Sequence, residues 1–415
     1  MVTHKVKIFN DPVYGFISVA KPSLLLDLID HPYFQRLQRI GQTALSYYVY
    51  PGAHHTRFLH ALGAYHLMTE AIVCLRQKGI DITEAEAEGV CIAILLHDIG
   101  HGPFSHTLEH TIIDVYHEDL TVMFMYELNR QYDGSLTLAL SIFQDTYAKR
   151  FLHQLVSGQL DMDRMDYLSR DAFFTGVSEG VIGYDRIIKM LNVVNGELVV
   201  EEKGIYSIEK FLIARRLMYW QVYLHKTGVA AEQMLIRVFE RAKELCLEML
   251  RVENTEGVGF TCSDTLLGFI SGDYKKKYGE NEKELIESFA MLDDYDIIAA
   301  LKLWTTHSDF ILSFLSRSIL NRRLFKLEFQ NEPFDQKYID KIRNIVKTKT
   351  PLTTHIHVDY LVFTGKESNL TYNKQKDEIK ILTKNNTVCS FSDIMDYEIH
   401  GKNVTKYYLC YPKYF

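Results

Sequence analysis

The 415-residue chain has few cysteines, six in all. Cys74, Cys91, Cys246, Cys262, Cys389 and Cys410 are scattered without CxxC spacing, which argues against a zinc ribbon or a disulfide frame and suits reduced thiols packed in a core. Positive charge is also in short supply. Against 53 Asp and Glu stand 46 Lys and Arg, a formal net charge of -7 with a pI near 6.2. A nucleic-acid binder working through a uniformly basic face is thereby disfavoured, although local basic pockets stay open. The opening MVTHKVKIFNDP has no apolar run of signal-peptide length, and no segment reads as the uncharged span of a membrane helix. The expectation is a cytoplasmic chain with no membrane partner. Internal repeats and low-complexity tracts are missing too, so neither a solenoid nor a flexible linker explains the length.

What is present is a large apolar share. Hydrophobic residues make up 47% of the chain, enough for one big domain with one or two smaller ones. Residues 1–50 read as an entry segment, in which the strand-like HKVKIFN is broken at Asp11, Pro12 and Gly15 before helical periodicity begins near Ser23. Residues 51–250 repeat apolar positions every three or four places and predict a helical domain. Residues 251–335 read as a helical extension, and 336–415, with β-rich runs such as HIHVDYLVF, EIKILT and YYLCYP, as a small α+β region. The predicted fold class is therefore mainly α, a helical core with a small α+β C-terminal region.

The most informative stretch is ILLHDIGHGPFSH. An apolar helix, opened by a capping box of Thr83 and Glu86 and stopped by Gly100 and Gly102-Pro103, runs into His97 and Asp98. Two metal-capable side chains thus stand at a helix end against buried surface, where ionisable groups need partners. Neighbouring helix positions diverge by roughly 100°, so other segments must complete a shared shell. His60 is one candidate, with Gly63 and Ala64 one turn on to let a second helix approach. Asp163 is another, in DMDRMDYLSRD, where Asp163, Tyr167 and Asp171 share a helical face. An isolated His-Asp pair arises by chance in many chains; the order and context carry the signal.

His60, His97-Asp98 and Asp163 match the H...HD...D pattern, and the chain resembles the HD superfamily of metal phosphohydrolases. The blocks NDPVYG, FQRLQRIGQ, YYVYPGAHHTRFLHALG, LLHDIGHGPFSH, MDRMDYLSRD and YLHK resemble the deoxynucleoside triphosphate triphosphohydrolases of that superfamily, over roughly residues 5–230. The resemblance implies that His60, His97, Asp98 and Asp163 ligate a divalent metal. Imidazole and carboxylate ligands suit iron or manganese first, with magnesium, zinc or nickel also compatible. It implies His106 and His117 as proton carriers, His101 as an α-phosphate contact, and Glu109 behind them where the vertebrate relatives carry Asp. Arg57, Arg164 and Arg215 correspond to phosphate-binding positions, and Gln42, Tyr167, Asp171 and Tyr223 to sugar-selecting ones.

The activity implied is hydrolysis of a dNTP to deoxynucleoside and inorganic triphosphate. Members of this branch assemble as homo-oligomers, dimers or tetramers, and take activating nucleotides at subunit contacts. Lys7, Asn10, Asp30, Gln35, Arg322 and Lys326 align with such positions, while Gln38 stands where the vertebrate enzyme has an Arg that reads guanine. On spacing alone Lys7 and Asn10 read equally as a strand followed by an Asx-type turn. Two alternatives remain open: an HD phosphohydrolase acting on nucleoside monophosphates or cyclic nucleotides, and a non-catalytic sensor of nucleotides or single-stranded nucleic acid.

Overall fold

The computed structural model describes residues 5–251, 261–274, 279, 281–352, 355–369, 378–395 and 404–413. The entry segment is an antiparallel hairpin of β1 (Lys5–Asp11) and β2 (Gly15–Lys21); His4, the first residue of the expected strand, lies outside the described residues. Asp11 shapes its turn by accepting from the amides of Val13 and Tyr14, both at 2.9 Å. Ser23 then caps α1 (Leu24–Asp30) through Leu26 N, the side-chain acceptor that an exposed first turn needs. The short α2 (Pro32–Gln35) follows.

The helical domain contains α3 (Arg57–Gln77), α4 (Glu84–Leu96), α5 (His117–Gln131), α6 (Thr137–Phe143), α7 (Arg150–Val156), α8 (Met162–Thr175), α9 (Tyr184–Met190), α10 (Ile205–Met218) and α11 (Lys226–Arg251). The capping box of Thr83 and Glu86 is formed, and α4 ends with His97 as its C-cap. By length and composition α3 is apolar enough to cross a membrane, contrary to the sequence expectation, but most of that helix is buried inside the protein. It is apolar because it is packed on several sides: Ala61, Ala64, Leu67, Met68, Ala71 and Leu75 are fully enclosed.

One hairpin interrupts the helices. β3 (Leu191–Val194) and β4 (Glu197–Glu201) pair across Asn195-Gly196, whose φ values of 53° and 78° are the left-handed pair a tight hairpin turn requires. Among the described residues the helices Asp264–Ile270, Glu282–Phe289, Asp294–Trp304 and Phe310–Leu320 follow α11, and residues 252–260, 275–278 and 280 of the expected helical extension fall outside the described residues. The C-terminal strands are β5 (Lys326–Gln330), β6 (Phe363–Asn369), β7 (Lys380–Leu382), β8 (Val388–Ser390) and β9 (Val404–Tyr411). They form a sheet of order β5-β9-β6 and, with the hairpin, one of order β3-β4-β7-β8. Because β4 pairs in parallel with β7, hydrogen bonds tie the α+β region to the helical one. The fold is the expected mainly α class with small sheets near the C-terminus.

Candidate metal centre

Three helix ends converge on one point. His60 comes from the first turn of α3, His97 and Asp98 from the C-terminal end of α4, and Asp163 from the first turn of α8. His60 Nε2 lies 3.2 Å from His97 Nε2 and 3.1 Å from Asp163 Oδ1. His97 Nε2 is 3.4 Å from both Asp163 Oδ1 and Asp98 Oδ1, and Asp98 Oδ2 is 3.6 Å from His60 Nε2. α3 and α8 approach this closely because Gly63 faces Asp166 and Arg170, where any Cβ would overlap both side chains.

The ring nitrogens on the far side decide what the near side offers. His97 Nδ1 lies 2.6 Å from the carbonyl of Ile94, which only accepts, so Nδ1 carries the hydrogen and Nε2 presents a lone pair. His60 Nδ1 is held in the same way, 2.7 Å from Asp166 Oδ2. Asp166 in turn receives Arg170 Nε at 2.9 Å, and Arg170 Nη1 reaches Asp11 Oδ2 at 2.7 Å, all three buried. Two imidazole nitrogens and two carboxylates therefore share one small volume. Burial works against charge on His60, yet its hydrogen bonds to Asp163 and Asp166 outweigh this and lift its pKa to about 10, so without a cation at the centre Nε2 carries a proton that a bound ion would displace. Asp163 is held far below the usual carboxylate range: burial opposes this, and the hydrogen bonds from His60 and His97 prevail. The set calls for positive charge at its centre, and its chemistry fits a divalent cation of the kind imidazole and carboxylate bind. His60, His97 and Asp163 form a group that can hold a metal ion.

Beside this centre, Arg57 donates Nη1 to Asp98 Oδ2 and Nε to Ser105 Oγ, the latter at 2.7 Å. Ser105 and Phe104 both adopt φ of 53°, a left-handed backbone that costs on the order of 1–3 kcal/mol per non-glycine residue and clusters at functional loops. This loop leads into the histidines. His101 is buried, stacks on His117 at 3.9 Å between ring centroids, and stands 3.4 Å from Asp98 Oδ1. Burial, with Arg57 adding to it, pushes its pKa well down, so it is a neutral ring. Glu109 holds both remaining histidines by Nδ1, His106 at 3.0 Å and His117 at 2.7 Å. The extra methylene of Glu109 relative to Asp thus does not stop the carboxylate from reaching either ring.

A cleft of about 550 Å³ opens over the centre, with Asp98, Asp163, His101, His106 and His117 among its walls. Gln42, Tyr167, Asp171 and Tyr223 line it too. Asp171 is fixed by two groups, Tyr223 Oη donating to Oδ2 at 2.6 Å and His55 Nε2 at 2.6 Å from Oδ1. Arg164 and Arg215 lie to the side. Arg164 folds back on Asp161 and the Gly158 carbonyl, and Arg215 Nη1 donates to Gln159 at 3.3 Å. Lys7 and Asn10 are exposed on the hairpin, and Asp30 is exposed at the end of α1. Gln35 donates to the Ile29 carbonyl, Arg322 to the Tyr48 carbonyl, and Lys326 pairs with Glu328 at 2.5 Å.

Four residues of this arrangement escape the sequence reading: Asp11, His55, Asp166 and Arg170. Asp166 and Arg170 are an i,i+4 acid–base pair on α8, a visible signal, but it lies on a different face from the one that Asp163, Tyr167 and Asp171 mark. Asp11 is legible only as a turn residue and His55 not at all, since only the tertiary fold brings them to Arg170 and Asp171.

The HD domain family model matches residues 57–171, from Arg57 through Asp171, and an HD-associated region matches residues 182–256. The chain is 31% identical to an uncharacterized protein, YwfO, of Bacillus subtilis over 98% of its own length and 92% of the relative's. A crystal structure of a phosphohydrolase from Bacteroides thetaiotaomicron is 49% identical and superposes with a TM-score of 0.92 over 99% of this chain and all of that one. The chain belongs to the HD-domain phosphohydrolases. Within that family it is also 30% identical to the deoxynucleoside triphosphate triphosphohydrolase SAMHD1 of Homo sapiens, over 58% of this chain and 45% of that protein. The same figures are 30%, 57% and 45% for the Gallus gallus protein. The HD phosphohydrolase described here therefore spans under half the length of those two relatives.

Proposed function

We propose that this HD phosphohydrolase hydrolyses deoxynucleoside triphosphates to deoxynucleoside and inorganic triphosphate. The observation that carries the reading is the union, in one cleft, of the His60–His97–Asp98–Asp163 centre with the sugar-sized constellation of Tyr167, Asp171 and Tyr223. The identity to relatives that are named for this activity supports it.

His60, His97, Asp98 and Asp163 would hold the divalent ion, iron or manganese by first choice, and when bound it supplies Lewis acidity toward a phosphoryl oxygen and an attacking water. The residues around it do the rest. Arg57, locked on Asp98 and Ser105, sets positive charge beside the α-phosphate, and His101, neutral and buried, offers it a hydrogen bond. Arg164 reaches the phosphate chain by leaving Asp161, and Arg215 by leaving Gln159. Water adds a hydroxyl to the α-phosphorus as the bond from that phosphorus to the 5′ oxygen breaks, the departing oxygen takes a proton from His106 or His117, and the proton the water gives up restores that ring. Glu109 orients both rings through their Nδ1 hydrogens, which leaves each Nε2 to hold or release the transferred proton. Asp171, pinned by His55 and Tyr223, accepts from the sugar 3′-hydroxyl, while the Tyr223 ring packs where a ribose 2′-hydroxyl would project.

Anion chromatography of the products tests this. Each dNTP incubated with manganese is expected to yield inorganic triphosphate, with ribonucleotides turned over far less. Orthophosphate or pyrophosphate as the only anion would instead place the enzyme among the monophosphate or cyclic-nucleotide hydrolases. Binding of nucleotides or single strands without turnover would make it a sensor. Tyr223→Ala is expected to weaken the preference for dNTP over NTP by roughly 1–3 kcal/mol in kcat/KM, the scale of one lost steric or polar contact. An unchanged ratio removes Tyr223 from sugar selection. The same proposal includes a cytoplasmic homo-oligomer, dimer or tetramer, with an activating nucleotide at a subunit contact formed by Lys7, Asn10, Asp30, Gln35, Arg322 and Lys326.

A further inference from the structure

The cleft has a wall that the mechanism above does not use. α11 turns Glu232, Gln233 and Ile236 toward it, a spacing of three and four residues that puts them on one helical face. Glu367, on β6 of the C-terminal sheet, completes that wall. Both glutamates are half-buried, and among the described residues neither is in an ion pair or a side-chain hydrogen bond. The cation nearest in the sheet register is Lys406, opposite Glu367, and its Nζ is instead 4.1 Å from the centroid of the Trp220 ring. Two neighbouring carboxyls without a cation in a confined cleft are unfavourable unless something else supplies hydrogens. Burial, and the charge of Glu367 after it, push the Glu232 carboxyl up to about 8, so the pair already shares its electrostatic load with a proton.

We propose that Glu232 and Glu367 form the nucleobase-reading wall of the cleft and select bases that carry an exocyclic amino group. This rests on the dNTP reading of the site. Arg57 at the start of α3 and His101, His106 and His117 on the segment from the end of α4 to the start of α5 attract phosphate, which leaves the α11 and β6 wall for the other end of a nucleotide. The pair offers four oxygens and at most two protons, so acceptors are in excess at any pH where at least one proton is gone. Adenine, cytosine and guanine each present an amino group with two N–H donors; thymine presents one N–H between two carbonyls. The wall therefore discriminates against thymine by leaving its carbonyls opposite oxygen. The C-terminal sheet thereby becomes part of the substrate site, because Glu367 is on its strand β6.

Steady-state kinetics with the four dNTPs on the full-length, metal-loaded protein test this. For the native enzyme kcat/KM for dTTP is expected to be lowest, by about tenfold against dATP, the effect of one mismatched buried hydrogen bond. At a pH about one unit above the Glu232 value, where the native carboxyl is ionised, Glu232→Gln replaces an acceptor oxygen by an NH₂ donor at constant size, and the dATP-to-dTTP ratio should fall at least about fivefold. Glu367→Gln should move it in the same direction. Because the ratio is internal to one sample, inactive material cancels. Retained dNTP hydrolysis with dTTP preferred by the native enzyme, or with a ratio unchanged in both variants, overturns this inference alone. Absence of any dNTP hydrolysis by the native enzyme overturns it together with the functional reading.

Discussion

His97→Ala will reduce bound metal from about one ion per chain to below about a tenth and lower dNTP turnover by at least about a thousandfold. The ring contributes one of four converging ligand atoms, and loss even of groups that merely orient ligands costs roughly 10–100-fold in metal affinity or activity. A ligand itself is worth more, because it also leaves the remaining carboxylates to repel one another. Asp98→Ala should match it in activity but not in stability. Arg57 is buried against Asp98, so removing that carboxylate strands a guanidinium, whereas Asp98→Asn keeps a hydrogen-bond acceptor beside it. Elemental analysis after dialysis, alongside circular dichroism to establish folding, separates the two effects. A folded His97→Ala protein that keeps its ion and hydrolyses dNTPs at the native rate would refute the role given to this ring.

The parts of this arrangement that a sequence can display are the ones encoded by local spacing. His97 and Asp98 announce themselves because an apolar run is cut off by Gly100 and Gly102-Pro103, and the structure places that pair where α4 ends. The Thr83–Glu86 capping box is equally local and forms as its spacing predicts, and the helical periodicity read from near Ser23 begins in the structure at Leu24. The hairpin of β3 and β4 was legible in principle, since Asn195-Gly196 between two β-branched pairs is a strong turn signal. It passes unnoticed because the helical periodicity on both sides dominates any longer window. The pairing of β4 with β7 is of another kind: 180 residues lie between Val200 and its partner Ile381, and nothing in either segment names the other. The same holds at the site. Its ligands lie in recognisable blocks, but Glu367 in the cleft wall and Asp11 against Arg170 come from chain segments whose local sequence is that of ordinary strand and turn.

Arg170→Met is expected to destabilise the fold by about 3–5 kcal/mol, the cost of leaving a buried charge network without its cation. Arg170 is fully buried and bridges Asp166, at 2.9 Å, to Asp11, at 2.7 Å. Its pKa lies far above the usual range: burial opposes this, and the charge of Asp166 overrides it. Methionine fills a similar volume, so the loss measures charge more than packing. Two consequences separate this from a general core defect. Asp166 no longer has its partner, so it draws a proton or turns from His60, and the His60 ring loses the hydrogen bond that aims Nε2 at the centre. Metal affinity should therefore fall in step with stability. The hairpin of β1 and β2, which Arg170 anchors to α8 through Asp11, should also exchange its amide hydrogens faster. Denaturant titration, metal titration and hydrogen exchange on the one variant read all three. A variant as stable as the native protein, with unchanged metal affinity, would show that the chain from Asp11 to His60 carries neither the fold nor the aim of the ligand.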